Sequence, residues 1–143
     1  MKFMFDCDDT LYDLQWPFRM AIQESFPEAI GYDYDIFYKT YRDIGDTIFH
    51  KIQSGEITSD EGGIYRIYHA SRAFGIDLSM ERSIQFQNTY KKYQDKISMD
   101  PALKEYLMKQ DLEYAILTNG EDTHQRMKCN VLKVEEFVDD DHI

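Results

Sequence analysis

The chain holds 143 residues, 43% of them hydrophobic, which is enough for a packed core and argues against disorder. Its formal net charge of −11 sets it against nucleic acid and anionic membranes, although a metal or a few local cations can reverse the field at one site. Two cysteines, Cys7 and Cys129, fall in no CxxC or Cys/His metal spacing and read as free thiols of a reducing cytoplasm, and neither a membrane-length apolar run nor a signal-peptide pattern is expected.

The apolar stretch Lys2–Asp6 shows no alternation, which predicts a short parallel strand covered on both faces. A turn follows at Asp8–Thr10. Residues 14–97 are helical in pattern. Pro17 suits the first turn of a helix running to Phe26, and FPEAIGYDYD then breaks it. A second helix is predicted over Asp35–Gln53, with Ile36, Tyr41, Ile44, Ile48 and Ile52 near one face. TSDE (Thr58–Glu61) is a capping-box signature, and the helix it starts runs to Phe74, with Gly75 placed to end it. Ser79 or Asp77 can cap a fourth helix, Met80–Gln94.

The pattern then changes. Asp100 followed by Pro101 marks a helix start, and that helix ends near Gln110. EYAILTNG (Glu113–Gly120) reads as a second short strand ending in small polar residues. EDTHQRMKCNV reads as a helix. EEFVDDDHI reads as a turn with a third strand beginning at the last residues. The fold class predicted is α/β: a partial Rossmann-like parallel sheet, residues 1–13 and 98–143, with an all-helical bundle, residues 14–97, inserted into it. In such sheets ligands bind beyond the carboxyl ends of the strands. Asp6–Thr10 and Thr118–Gly120 both lie at such ends, and they are expected to share one cleft.

Asp6 and Asp8 are two apart, so a regular strand would point both to one side. Neighbouring carboxylates repel unless a cation lies between them. Mg²⁺ takes oxygen ligands and works with one or two protein carboxylates plus water and phosphate, so Asp6 and Asp8 are its candidate ligands. One carboxylate can then attack phosphorus, and the other can serve as acid and then base.

FMFDCDDTLYD resembles the first motif of the haloacid dehalogenase-like hydrolases, a strand followed by Asp-x-Asp-x-Thr-Leu. YAILTNG resembles their second motif, a strand ending in Ser or Thr, here followed by Asn-Gly. The helical block between them is similar to the cap that one branch of the family inserts after the first motif. The resemblance implies that Asp6 is the nucleophile that becomes an aspartyl-phosphate. It implies that Asp8 is the general acid/base, its backbone carbonyl also a metal ligand, and that Thr10 supports the turn. Thr118 and the backbone N–H of Asn119 would bind phosphate. Asp9 stands where glycine is often found, and Asp tolerates the backbone angles of a tight turn. The family's dehalogenases lack the second aspartate, because a halide leaves without protonation; Asp8 therefore favours a phosphatase.

The resemblance thus implies a Mg²⁺-dependent phosphatase acting on a small phosphorylated metabolite, a sugar phosphate, phosphoglycolate or a nucleotide, in the cytoplasm. The alternatives are an inactive binding or interaction module and a phosphomutase or dehalogenase of the same family. The family's third motif, a lysine, and its fourth, the final metal-binding acids, have no counterpart here. The chain reads as truncated before both, and alone it is expected to turn over little. Lys128 and Lys133 read as exposed helix lysines, and Asp139, Asp140 and Asp141 as a solvated turn. His50 and His69 read as structural, while His124 lies near enough to the second motif to approach a phosphate. Cys7 reads as a core residue, and Trp16 as a hinge residue or a substrate contact. The bare apolar edge of the first strand is expected to promote self-association.

Overall fold

The computed structural model describes residues 2–29 and 31–143. The break FPEAIGYDYD contains residue 30, which lies outside them. The chain divides into two compact units. The first comprises Met1–Trp16 and Gln94–Ile143, and the second is Pro17–Tyr93.

The first unit is built on two parallel strands, β1 (Lys2–Phe5) and β2 (Glu113–Ile116). Their register pairs Lys2 with Glu113, Phe3 with Tyr114, Met4 with Ala115 and Phe5 with Ile116. One further bond, from the Leu117 N–H to the Phe5 carbonyl at 2.8 Å, carries the pairing to the carboxyl end. Tyr114 and Ile116 point into the core, where they meet Leu11, Ile97, Leu107, Leu132 and Val138. β1 departs from the expectation of a strand covered on both faces. Phe3 is 40% and Met4 64% exposed, and only Phe5 is half-buried. Among the described residues β2 is its one partner, so its other edge and much of both faces lack a covering layer.

Among the described residues, the helices α1 (Trp16–Ser25), α2 (Tyr34–Gln53), α3 (Ser59–Ala73) and α4 (Met80–Gln94) fall wholly or mostly in the second unit. Local chemistry explains their ends. Asp33 accepts from the Asp35 and Ile36 N–H groups. Thr58 and Glu61 form both halves of a capping box. The Ser79 hydroxyl oxygen accepts from the Arg82 N–H at 3.2 Å. Phe18 centres the core of this unit, its ring centroid 5.6 Å from Phe37, 5.1 Å from Tyr41 and 5.8 Å from Phe86. The buried face of α2 runs through Phe37, Tyr41, Gly45 and Ile48. Ile36, expected on that face, is exposed, because it lies one helical step (about 100°) from Phe37.

Returning to the first unit, α5 (Pro101–Lys109) is capped by Asp100, whose Oδ1 accepts from the Ala102 and Leu103 N–H groups. The last helix, α6 (Asp122–Leu132), ends at Lys133 in the left-handed conformation. Beyond it, Val134–Glu136 and Asp140–His142 are short 3-10 turns. Among the described residues the third strand expected at the end of the sequence is not formed; Asp140–His142, the last of these turns, lies beside β2 without pairing with it. No helix among the described residues is long and apolar enough to cross a membrane.

Candidate active site

Two loops at the carboxyl ends of β1 and β2 carry the candidate residues, and the in-register pairing of the strands sets these loops side by side. β1 stops at Phe5, so Asp6 and Asp8 do not share a strand face. Asp6 is exposed, and its Oδ1 accepts the Cys7 N–H at 2.7 Å. The chain then turns: the N–H groups of Thr10 and Leu11 both donate to the Cys7 carbonyl, at 3.4 and 3.0 Å. Asp9 adopts φ 58, the left-handed region that Asp enters more readily than most residues. Thr10 contributes to the turn through its backbone and is itself exposed.

Asp8 has quite different surroundings. Its Oδ1 accepts from the Tyr12 hydroxyl at 2.6 Å and from the Lys128 ammonium at 2.7 Å. The Lys128 side chain is only 5% exposed. The expectation of an exposed helix lysine is therefore wrong for this residue, while Lys133 is exposed. The reason lies in the helical repeat. Gln125, Lys128, Cys129 and Leu132 are spaced i, i+3, i+4 and i+7, and all four are buried on one face of α6. Leu132 and Cys129 draw that face into the core, and Lys128 goes with them. Burying an ammonium is tolerated only when it is paired, and Asp8 is the pair. The signal was present in the sequence as this spacing, hidden by the polarity of two of its four members.

The same face of α6 holds the second loop. The Thr118 hydroxyl donates to Gln125 Oε1 at 3.3 Å, and Gln125 Nε2 donates to the Asn119 carbonyl at 3.0 Å. Gly120, with φ +135, allows this approach: a Cβ there would stand 2.6 Å from Gln125 Nε2. A phosphate at Thr118 would therefore compete with Gln125 for the hydroxyl proton. Cys7 is fully buried in the same core as Cys129, and the two thiols interact. That contact and burial push the Cys7 thiol up, while the same contact holds Cys129 down.

His124, one position before Gln125, is half-buried. Burial and the nearby Lys128 charge hold its imidazole below the usual histidine range, with Asp8, Glu121 and Asp95 pulling the other way. Trp16 packs against the core of the first unit. Asp139 and Asp141 are exposed. Among the described residues no cluster of three or more His, Cys, Asp or Glu side chains forms a metal cage. The donors on offer are oxygens, the exposed Asp6 carboxylate and the groups of Asp8. That is a fit to Mg²⁺ only in the open manner in which water and phosphate complete the shell.

No family model matches the chain, and no curated protein is similar to it in sequence. Solved structures do match. YfnB from Bacillus subtilis, named as an HAD-hydrolase and solved bound to magnesium, superposes with a TM-score of 0.57 at 20% identity, over 96% of this chain and 60% of its own. The L-2-haloacid dehalogenase of Xanthobacter autotrophicus gives 0.61 at 14% identity, over 96% and 54%. A haloacid dehalogenase-like hydrolase from Xanthomonas campestris gives 0.58 at 16%, over 96% and 58%. The chain thus spans between 54% and 60% of the length of these three structures. With 96% of the present chain superposed in each case, the chain has the fold of the haloacid dehalogenase-like hydrolases.

Proposed function

We propose that the protein is a Mg²⁺-dependent phosphomonoester hydrolase. The observation that carries this reading is the pair of unlike carboxylates in one loop: Asp6 exposed at the end of β1, and Asp8 held two residues on by a lysine and a tyrosine. A nucleophile must be accessible, whereas an acid/base must be held in place. The two aspartates divide in that way. Dehalogenases are among the structural neighbours, and likeness to them extends to the fold. Halide release needs no proton donor, so a second, supported carboxylate favours an ester substrate.

In the proposed sequence a carboxylate oxygen of Asp6 bonds to phosphorus as the ester P–O bond breaks. The ester oxygen takes its proton from the Asp8 carboxyl and leaves as an alcohol. Water then attacks phosphorus, gives a proton to the Asp8 carboxylate, and the Asp6–phosphorus bond breaks to release phosphate. Thr118 and the Asn119 N–H bind the phosphate oxygens, and Thr10 keeps the turn closed. Mg²⁺, bound by the Asp6 carboxylate and the Asp8 carbonyl, would offset the negative charge shared by nucleophile and phosphate. The helical unit, residues 17–93, plays the part of a cap, and the substrate is a small phosphorylated metabolite. The full gene product should hydrolyse a generic phosphomonoester with Mg²⁺, and Asp6→Asn should reduce this to background. Equal rates for the two proteins would remove Asp6 from the mechanism.

A further inference from the structure

We infer that Lys128 is the positioning residue for Asp8, acting from the buried face of α6 and assisted by Tyr12; this deepens, and rests on, the phosphatase reading above. Asp8 lies in a turn whose next residue has a positive φ, and a turn by itself leaves a short side chain free to rotate. Here two donors from different directions meet one oxygen, Lys128 at 2.7 Å and Tyr12 at 2.6 Å. Both donors are themselves fixed. Tyr12 is 8% exposed and Lys128 4%, each within the packed part of the first unit. Lys128 sits 120 residues from Asp8 in sequence, on a helix anchored by Cys129 and Leu132, so its ammonium is set by the core and not by the loop. Three residues earlier on the same face, Gln125 holds Thr118 and Asn119. One helix face thereby fixes both loops, with Lys128 assigned to the acid/base and Gln125 to the phosphate-binding end. In the second chemical step Asp8 works as a carboxylate, the form that both donors bind.

A residue that acts through the general acid is revealed by the leaving group. An alkyl phosphate needs a proton at its departing oxygen, whereas p-nitrophenolate leaves without one. The full gene product, Lys128→Met, Lys128→Arg, Tyr12→Phe and Asp8→Asn are compared on an alkyl phosphate and on p-nitrophenyl phosphate with Mg²⁺. Because hydrolysis of the intermediate is shared by both esters, the readout is release of the alcohol or phenol in a single turnover: Lys128→Met is expected to slow it about 10- to 100-fold on the alkyl ester and less than about threefold on the aryl ester. Asp8→Asn should show the same split more strongly, and Lys128→Arg should recover most of the loss. Tyr12→Phe, which removes a single hydroxyl, should show the split at smaller size and decides the matter if Lys128→Met does not fold. Equal losses of single-turnover release on both esters, or no loss on either, overturn the positioning role while the phosphatase reading stands. A parent protein that cleaves neither ester overturns the phosphatase reading and the positioning role with it. In that event a double-variant cycle of Lys128→Met and Asp8→Asn in urea unfolding still reports whether the pair exists in solution.

Discussion

Replacing Gly120 by alanine tests how the second loop is built. Gly120 has φ +135, where side chains are strained, and a Cβ there would lie 2.6 Å from Gln125 Nε2 and 3.4 Å from Gln125 Cγ. The backbone strain is about 1–3 kcal/mol. The collision would also displace Gln125 from Thr118 and from the Asn119 carbonyl, two hydrogen bonds worth roughly 1 kcal/mol each. The sum is about 3–5 kcal/mol, a large share of the ~5–15 kcal/mol that holds a small domain together. The single tryptophan, Trp16, packs against the core of this same unit, so its fluorescence reports the unit's unfolding. With a urea slope of about 2 kcal/mol/M, the midpoint of Gly120→Ala should fall by about 1.5–2.5 M. If Gln125 is the obstacle, Gln125→Ala should already have lost its two bonds. Adding Gly120→Ala to it should then cost about 1–2 kcal/mol less than Gly120→Ala does alone. A midpoint within about 0.3 M of the parent, or strictly additive variants, would refute this account of the loop.

Three further outcomes follow from the packing and electrostatics. Phe18→Ala removes the ring at the centre of the helical unit and should cost about 3–5 kcal/mol, read as an earlier melt by far-ultraviolet circular dichroism; an unchanged melt would contradict that core. Thr58→Ala breaks the capping box of α3 and should cost about 1 kcal/mol in the same experiment, with no cost if the cap is idle in solution. The His124 imidazole is held below its ordinary value of 6.5 in the folded chain, so its contribution to stability is full above pH 6.5 and is lost as pH falls through the folded pKa. His124→Asn should therefore lose less stability than the parent between pH 7.5 and about 5.5. Parallel losses in urea midpoints would count against it.

Much of the fold was written locally. Thr58 with Glu61, and Asp100 with Pro101, announce helix starts through side chains that reach only two or three residues, and the structure shows both caps. The α/β arrangement with an inserted helical bundle is the one observed, because strand, crossover and strand leave few ways to pair in parallel. What depends on distant partners was harder to read. Lys128 looks like any helix lysine until Asp8, 120 residues away, is known to lie under it. Met4 has the composition of a buried strand, but its burial depends on neighbouring layers that the strand itself does not specify. The last residues are expected to begin a strand, yet they fold as turns, as three successive aspartates favour. Likewise, Asp6 and Asp8 are two apart as a strand face requires, but β1 ends at Phe5 and the turn gives each carboxylate its own surroundings.

The covalent step is the most direct test of the central claim. The full gene product, with Asp8→Asn to slow hydrolysis of the intermediate, is mixed with Mg²⁺ and an excess of p-nitrophenyl phosphate and quenched in acid. Mass spectrometry then reads the peptide that carries Asp6. One phosphoryl group on Asp6, absent when Asp6 is also changed to Asn, is the predicted result. Turnover of the ester with no acyl phosphate at Asp6, or a phosphoryl group that persists after Asp6→Asn, would contradict it.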